Sequence, residues 1–130
     1  MTSGGAQRRV LIVEDEASIS FAVSDYLTLC GCTVDCARDA EEAVSLLRQH
    51  AYVVVVADLR LGASGDEEGL EVIRHVRAHH PSTRTVLLTA YGFPAIELEA
   101  RRRGVDTVLL KPQPLSEIAR IVQDLLAQPD

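Results

Sequence analysis

Residues 52–58 read Tyr-Val-Val-Val-Val-Ala-Asp, an apolar and largely β-branched run that breaks off at a carboxylate. Branched side chains of this kind fit a pleated strand. A strand with one wet face alternates apolar and polar residues; this run does not, so both its faces must be covered, as in a parallel sheet flanked by helices. Four further runs, at 10–13, 33–36, 85–88 and 107–110, share the pattern. Five buried strands are therefore expected.

Between the runs the apolar spacing changes from continuous to helical. Ile19, Ala22, Val23, Tyr26, Leu27 and Cys30 form one stripe at i, i+3, i+4 and i+7 spacing. Residues 39–50 repeat it with Ala40, Ala43, Val44 and Leu47 inward, and Asp39 with Glu42 supplies an N-terminal capping pattern. A third helix is expected over 70–79, stopped before Pro81, and a fifth from Pro114 onward with Leu115, Ile118, Ala119, Val122, Leu125 and Leu126 aligned. The fourth segment, 95–103, carries only Ile96, Leu98 and Ala100 and is expected to be the least firmly held. Each connection is long enough for a parallel crossover, and right-handed crossovers give an open α/β sheet with helices on both faces.

At 130 residues and 47% hydrophobic content the chain can bury one sizeable core, and no second domain or internal repeat is evident. Thirteen basic against nineteen acidic residues give a formal charge of -6, a field that repels phosphate backbones and anionic lipids. Direct nucleic-acid or membrane partners are not expected, and Arg101, Arg102 and Arg103 read as a solvated helix end. No apolar run approaches the ~20 residues of a membrane span, and the polar opening lacks a signal-peptide core. A cytoplasmic location follows as the expectation, with Cys30, Cys32 and Cys36 as reduced thiols rather than a disulfide framework.

Function is read from how the strands end. The first run is followed by Glu14 and Asp15, the third by Asp58, the fourth by Thr89 and the fifth by Lys111. In a parallel sheet these ends share one edge, where open α/β folds hold their ligands. Any one of them alone is an ordinary loop residue. Together they bring three carboxylates, a hydroxyl and an ammonium into one place, and the carboxylates repel unless a cation joins them. Hard oxygen donors suit Mg2+. An aspartate beside such an ion can attack phosphorus, so Asp58 is the candidate nucleophile, with Lys111 offering a compact positive charge and Thr89 a hydrogen-bond donor to phosphoryl oxygens.

The segments 10–16 (Val-Leu-Ile-Val-Glu-Asp-Glu), 57–59 (Ala-Asp-Leu), 89–92 (Thr-Ala-Tyr-Gly) and 111–112 (Lys-Pro) resemble, in order, the motifs of bacterial response-regulator receiver domains, over residues 9–127. The resemblance implies a single doubly wound (βα)5 flavodoxin-like domain, a five-stranded parallel sheet of order 2-1-3-4-5, flanked by polar tails at 1–8 and 128–130. It implies that Asp58 accepts a phosphoryl group from a phosphohistidine, and that Asp15 and Asp58 ligate Mg2+ directly, Glu14 often through water. The backbone carbonyl of Arg60 completes the protein's ligands. Thr89 and Lys111 then contact the phosphoryl group. Such a domain is a phosphoacceptor in a two-component system or phosphorelay, catalysing only its own phosphorylation and dephosphorylation. Its implied partners are a sensor histidine kinase or histidine phosphotransfer protein and a downstream protein target reached through the fourth helix, fifth strand and fifth helix. Phosphorylation-dependent homodimerisation stays open. Because the sequence stops soon after the fifth helix, signalling by protein contact is expected.

Three positions depart from the family pattern. Val108 stands where an aromatic rotamer switch is common. The loop at 62–69 looks about three residues longer than usual. Arg60 and Tyr91, both large, occupy the positions that tune phosphoryl lifetime and are expected to hinder an attacking water. A magnesium-dependent phosphatase would want a second acid where Arg60 stands, a nucleotide-binding flavodoxin-like module would want a Gly-rich phosphate loop, and a degenerate receiver would have lost an acid or the lysine. His75 and His79 share a helical stripe beside His80 and receive no role from the sequence, which reads them as a solvated helix end.

Overall fold

The computed structural model describes residues 8–58, 68–89, 98, 100–102, 104–110 and 114–127. Strands β1 (Arg9–Val13), β2 (Thr33–Ala37), β3 (Val54–Asp58), β4 (Arg84–Thr89) and β5 (Thr107–Leu110) form one sheet of order β2-β1-β3-β4-β5. Every neighbouring pair is parallel. Helices α1 (Ala17–Leu29), α2 (Ala40–Gln49) and α3 (Glu68–His79) connect the first four strands, and a C-terminal helix, Leu115–Ala127, follows the fifth. Residues 98 and 100–102 are helical, within the segment expected to be the fourth helix. This is the open α/β, flavodoxin-like arrangement expected.

Strand alternation divides the core between the two faces. Val10, Ile12, Val54, Val56, Val86 and Leu88 pack with Val23 and Leu27 of α1 and with Ile118, Val122 and Leu125 of the C-terminal helix. On the other face Leu11, Val13, Val55 and Ala57 meet Ala43 and Leu47 of α2 and Val72 and Val76 of α3. A third cluster joins Leu70, Ile73 and Leu87 to Ala100 and Val105. Two-sided burial holds for β1, β3 and β4. It does not hold for β2, where Thr33 and Cys36 are exposed, or for β5, whose residues are at most half-buried, because both lie at the sheet edges.

Helix ends follow the sequence signals. Asp39 caps α2 by accepting a 2.8 Å hydrogen bond from the Glu42 backbone N–H, and Glu42 accepts from the Arg38 N–H at 2.7 Å. The first helix departs from expectation: Ser20, Val23 and Leu27 are its buried residues, while Tyr26 is exposed and Cys30 half-buried. Its apolar stripe is rotated toward Ser20, so the small hydroxyl takes a position beneath the helix that the spacing gave to a larger side chain. All three cysteines are unpaired, as expected. Among the described residues no helix is long and apolar enough to cross a membrane.

Candidate functional site

Register aligns the acidic residues. Val13 pairs with Ala57, so Glu14 and Asp58 stand one position beyond paired residues on adjacent strands. Asp58 in turn pairs with Leu88, and Thr89 with Leu110, which sets Thr89 at the same edge and Lys111 one residue past β5 in sequence. Carboxylate oxygens of Glu14, Asp15 and Asp58 lie within 4.8 Å of one another. Glu14 and Asp58 are buried, at 2% and 7% exposure, and Asp15 is exposed. Thr89 is buried as well.

The backbone fixes the first of these carboxylates. Glu14 donates its N–H to the Ala37 carbonyl oxygen at 2.9 Å, extending the β1–β2 pairing past the strand, and its Oε2 accepts from the Glu16 N–H at 3.1 Å. Glu16 then begins α1, accepting from the Ser20 N–H at 3.0 Å. Glu14 is thus held between the end of β1 and the first turn of α1, with Asp15 next to it in sequence.

Two like unit charges ~5 Å apart repel by about 3 kcal/mol at an effective dielectric of ~20. Three ionised groups at that spacing, two of them buried, are therefore costly without positive charge among them. The trio contains neither sulfur nor imidazole, and all-oxygen donors at this spacing fit a hard divalent cation. The site fits Mg2+ by donor chemistry.

Of the residues singled out from the sequence, Glu14, Asp15 and Asp58 come together and Thr89 lies at the same sheet edge. Arg60, Tyr91, Lys111, Pro112 and residues 62–67 of the longer loop lie outside the described residues. Val108 is half-buried, in register with Leu87 and packed against the third core cluster. A branched aliphatic fills this position with little χ1 freedom, so an aromatic flip has no counterpart there.

Sequence reasoning missed a cleft of about 320 Å³ beside the trio, lined by Glu14, Ser20 and Phe21 from one side and Cys36, Arg38 and Glu42 from the other. Phe21 is 76% exposed on α1. The signal was present: Phe21 falls off the apolar stripe of its helix, where a large aromatic has no core to enter.

Similar proteins were found by sequence and by structure. The profile described as "Response regulator receiver domain" matches residues 10–123. The regulatory protein AtoC of Escherichia coli K12 is 31% identical over 121 residues, which make up 93% of this chain and 26% of AtoC. The virulence transcriptional regulatory protein PhoP of Salmonella typhimurium is 34% identical over 118 residues, 91% of this chain and 51% of PhoP. The chain thus spans about a quarter to a half of these relatives. The non-phosphorylated HemR receiver domain from Leptospira biflexa superposes with a TM-score of 0.85 at 24% identity, covering 94% of this chain and 96% of that one. On the profile match across most of its length, this chain belongs to the response regulator receiver domains of two-component systems.

Proposed function

We propose that Asp58 accepts a phosphoryl group from the phosphohistidine of a sensor kinase or phosphotransfer protein, and that the modified domain signals by protein contact. The observation that carries this reading is the gathering of three carboxylates at the carboxyl ends of β1 and β3 in a member of this family. Glu14, Asp15 and Asp58, with the Arg60 backbone carbonyl, would hold Mg2+, which when bound supplies charge neutralisation for the carboxylates and the incoming phosphoryl group.

The chain's own groups do the remainder. An Asp58 carboxylate oxygen forms a bond to phosphorus as the histidine N–P bond breaks, and the electron pair leaves with the imidazole. Asp58 is 7% exposed, and this burial limits the approach of water. Thr89 donates a hydrogen bond to the phosphoryl oxygens and Lys111 offsets their charge. Neither has to transfer a proton. The added charge, about -1.5 to -2 by analogy with phosphorylated hydroxyls, biases an existing two-state equilibrium. Exposed Leu98 and Leu110, at 55% and 49%, support an output face around the fourth helical segment, the fifth strand and the C-terminal helix.

In this reading residues 9–127 are the receiver, with 1–8 and 128–130 as tails; it acts in the cytoplasm and turns over no substrate but its own phosphoryl group. Radiolabelled phosphotransfer from candidate kinases tests it. Label should enter the wild type in the presence of Mg2+ and fail to enter Asp58→Asn. Equal labelling of both would end the assignment.

A further inference from the structure

Helix α3 runs back from the acidic edge, and its C-terminal half carries His75 and His79, four residues apart on one stripe, with His80 directly after. The ring centroids of His75 and His79 are 4.5 Å apart, and those of His75 and His80 are 5.8 Å apart. His79 is exposed and His80 half-buried. His75 is half-buried too, and its Nε2 is shut off from solvent with no hydrogen-bond partner among the described residues. Leaving such an atom unsatisfied is costly, and an apolar side chain at this position would avoid that cost.

We propose that His75 and His79 chelate a divalent transition-metal ion of the imidazole-preferring kind, Zn2+ or a close neighbour, with His80 as a third ligand. Two nitrogens bound at ~2.0–2.1 Å to one tetrahedral ion lie about 3.4 Å apart. Ring centroids 4.5 Å apart set the two imidazoles side by side on one helix stripe, from which rotation about the side-chain bonds brings one nitrogen of each to that separation. Bringing in His80 requires side-chain torsion, since the acidic trio is the group of three whose donor atoms already gather among the described residues. Burial, then the neighbouring His79, His80, Arg48 and Arg74, hold the His75 imidazole below its ordinary pKa and hence in the neutral form that binds metal. Arg48 on α2 and Arg74 on α3 also oppose a cation, and this limits its affinity. The two sites differ in donor chemistry, oxygen at one and nitrogen at the other, so one chain can sort Mg2+ from a borderline ion.

The test is calorimetric titration of Zn2+ into tag-free protein carrying Cys36→Ser, which removes the exposed thiol, with Mg2+ in excess. One Zn2+ per chain is expected. Asp58→Asn should leave binding unchanged, His79→Gln should weaken it at least about tenfold, and Arg48→Ala should tighten it a few-fold. His79 is exposed, so His79→Gln should retain the wild-type circular dichroism spectrum; a His75→Gln variant that also folds should lose binding to a similar degree. Absent uptake by the parent protein, or full affinity in folded His79→Gln, would overturn the proposal.

Discussion

Toward the amino end of the sheet Arg9 and Tyr52 both donate to Asp35 Oδ2, at 2.8 and 2.7 Å, whereas at the carboxyl end three carboxylates bring their oxygens within 4.8 Å of one another. The first arrangement supplies a cation and a hydroxyl to a single carboxylate, and it ties β1, β2 and the approach to β3 together. The second concentrates like charge at the point where the same strands end. One carboxylate is held by two donors from neighbouring strands; the other three share one sheet edge at a spacing that suits a divalent ion.

The comparison breaks most sharply at Asp58. Asp58→Asn should abolish phosphoryl incorporation and, by removing one of three neighbouring charges, raise stability without Mg2+ by about 1–2 kcal/mol; denaturant midpoints in metal-free buffer check the second effect. At the other end Tyr52→Phe should do the reverse. It deletes the hydroxyl that donates to Asp35 from a side chain only 4% exposed, at a cost of about 1–2 kcal/mol with phosphotransfer unchanged.

Acid sharpens the contrast. Burial alone would push the Asp35 carboxyl up, but the hydrogen bonds from Tyr52 and Arg9 outweigh it and hold the group below its ordinary value of 3.8. A carboxyl depressed on folding contributes stability that is fully present above the unfolded value and is lost as pH falls through the folded one. The stability gap between wild type and Asp35→Asn should therefore be constant above about pH 5 and close progressively below 3.8. The smallest effect belongs to Arg9→Ala. Its ion pair is 28% exposed on both sides, so solvent screening should keep the loss below about 1 kcal/mol, and added salt should shrink it further.

Much of this was legible in the sequence because strand ends are local events. Residues 52–58 announce a doubly covered strand and the carboxylate that closes it, and the same grammar holds at Glu14 and Thr89. Parallel pairing then needs no fine register for these residues to share an edge. What the sequence withheld depends on packing between distant elements. Arg77 donates to the Thr83 carbonyl oxygen and lies against Gly104, where φ is 93° and a methyl group would come 2.5 Å from Arg77 Cδ. Asp106 accepts from the Thr85 N–H at 2.7 Å, closing the β4–β5 corner. Neither contact has a periodic signature. The rotation of the α1 stripe, which buries Ser20 and leaves Tyr26 exposed, likewise depends on the strands and the C-terminal helix packed against it, which its own spacing does not encode. The closeness of the three histidine rings belongs to the same class, because spacing placed two of them on one stripe but could not show that the Nε2 of His75 is enclosed.

Thermal unfolding across a Mg2+ titration tests the central claim most directly, since it asks whether the gathered carboxylates await a cation. The wild-type midpoint should climb with Mg2+ and saturate, while Asp58→Asn should start higher in metal-free buffer and respond far less. A wild-type midpoint indifferent to Mg2+, or an equal rise in the variant, would contradict the account.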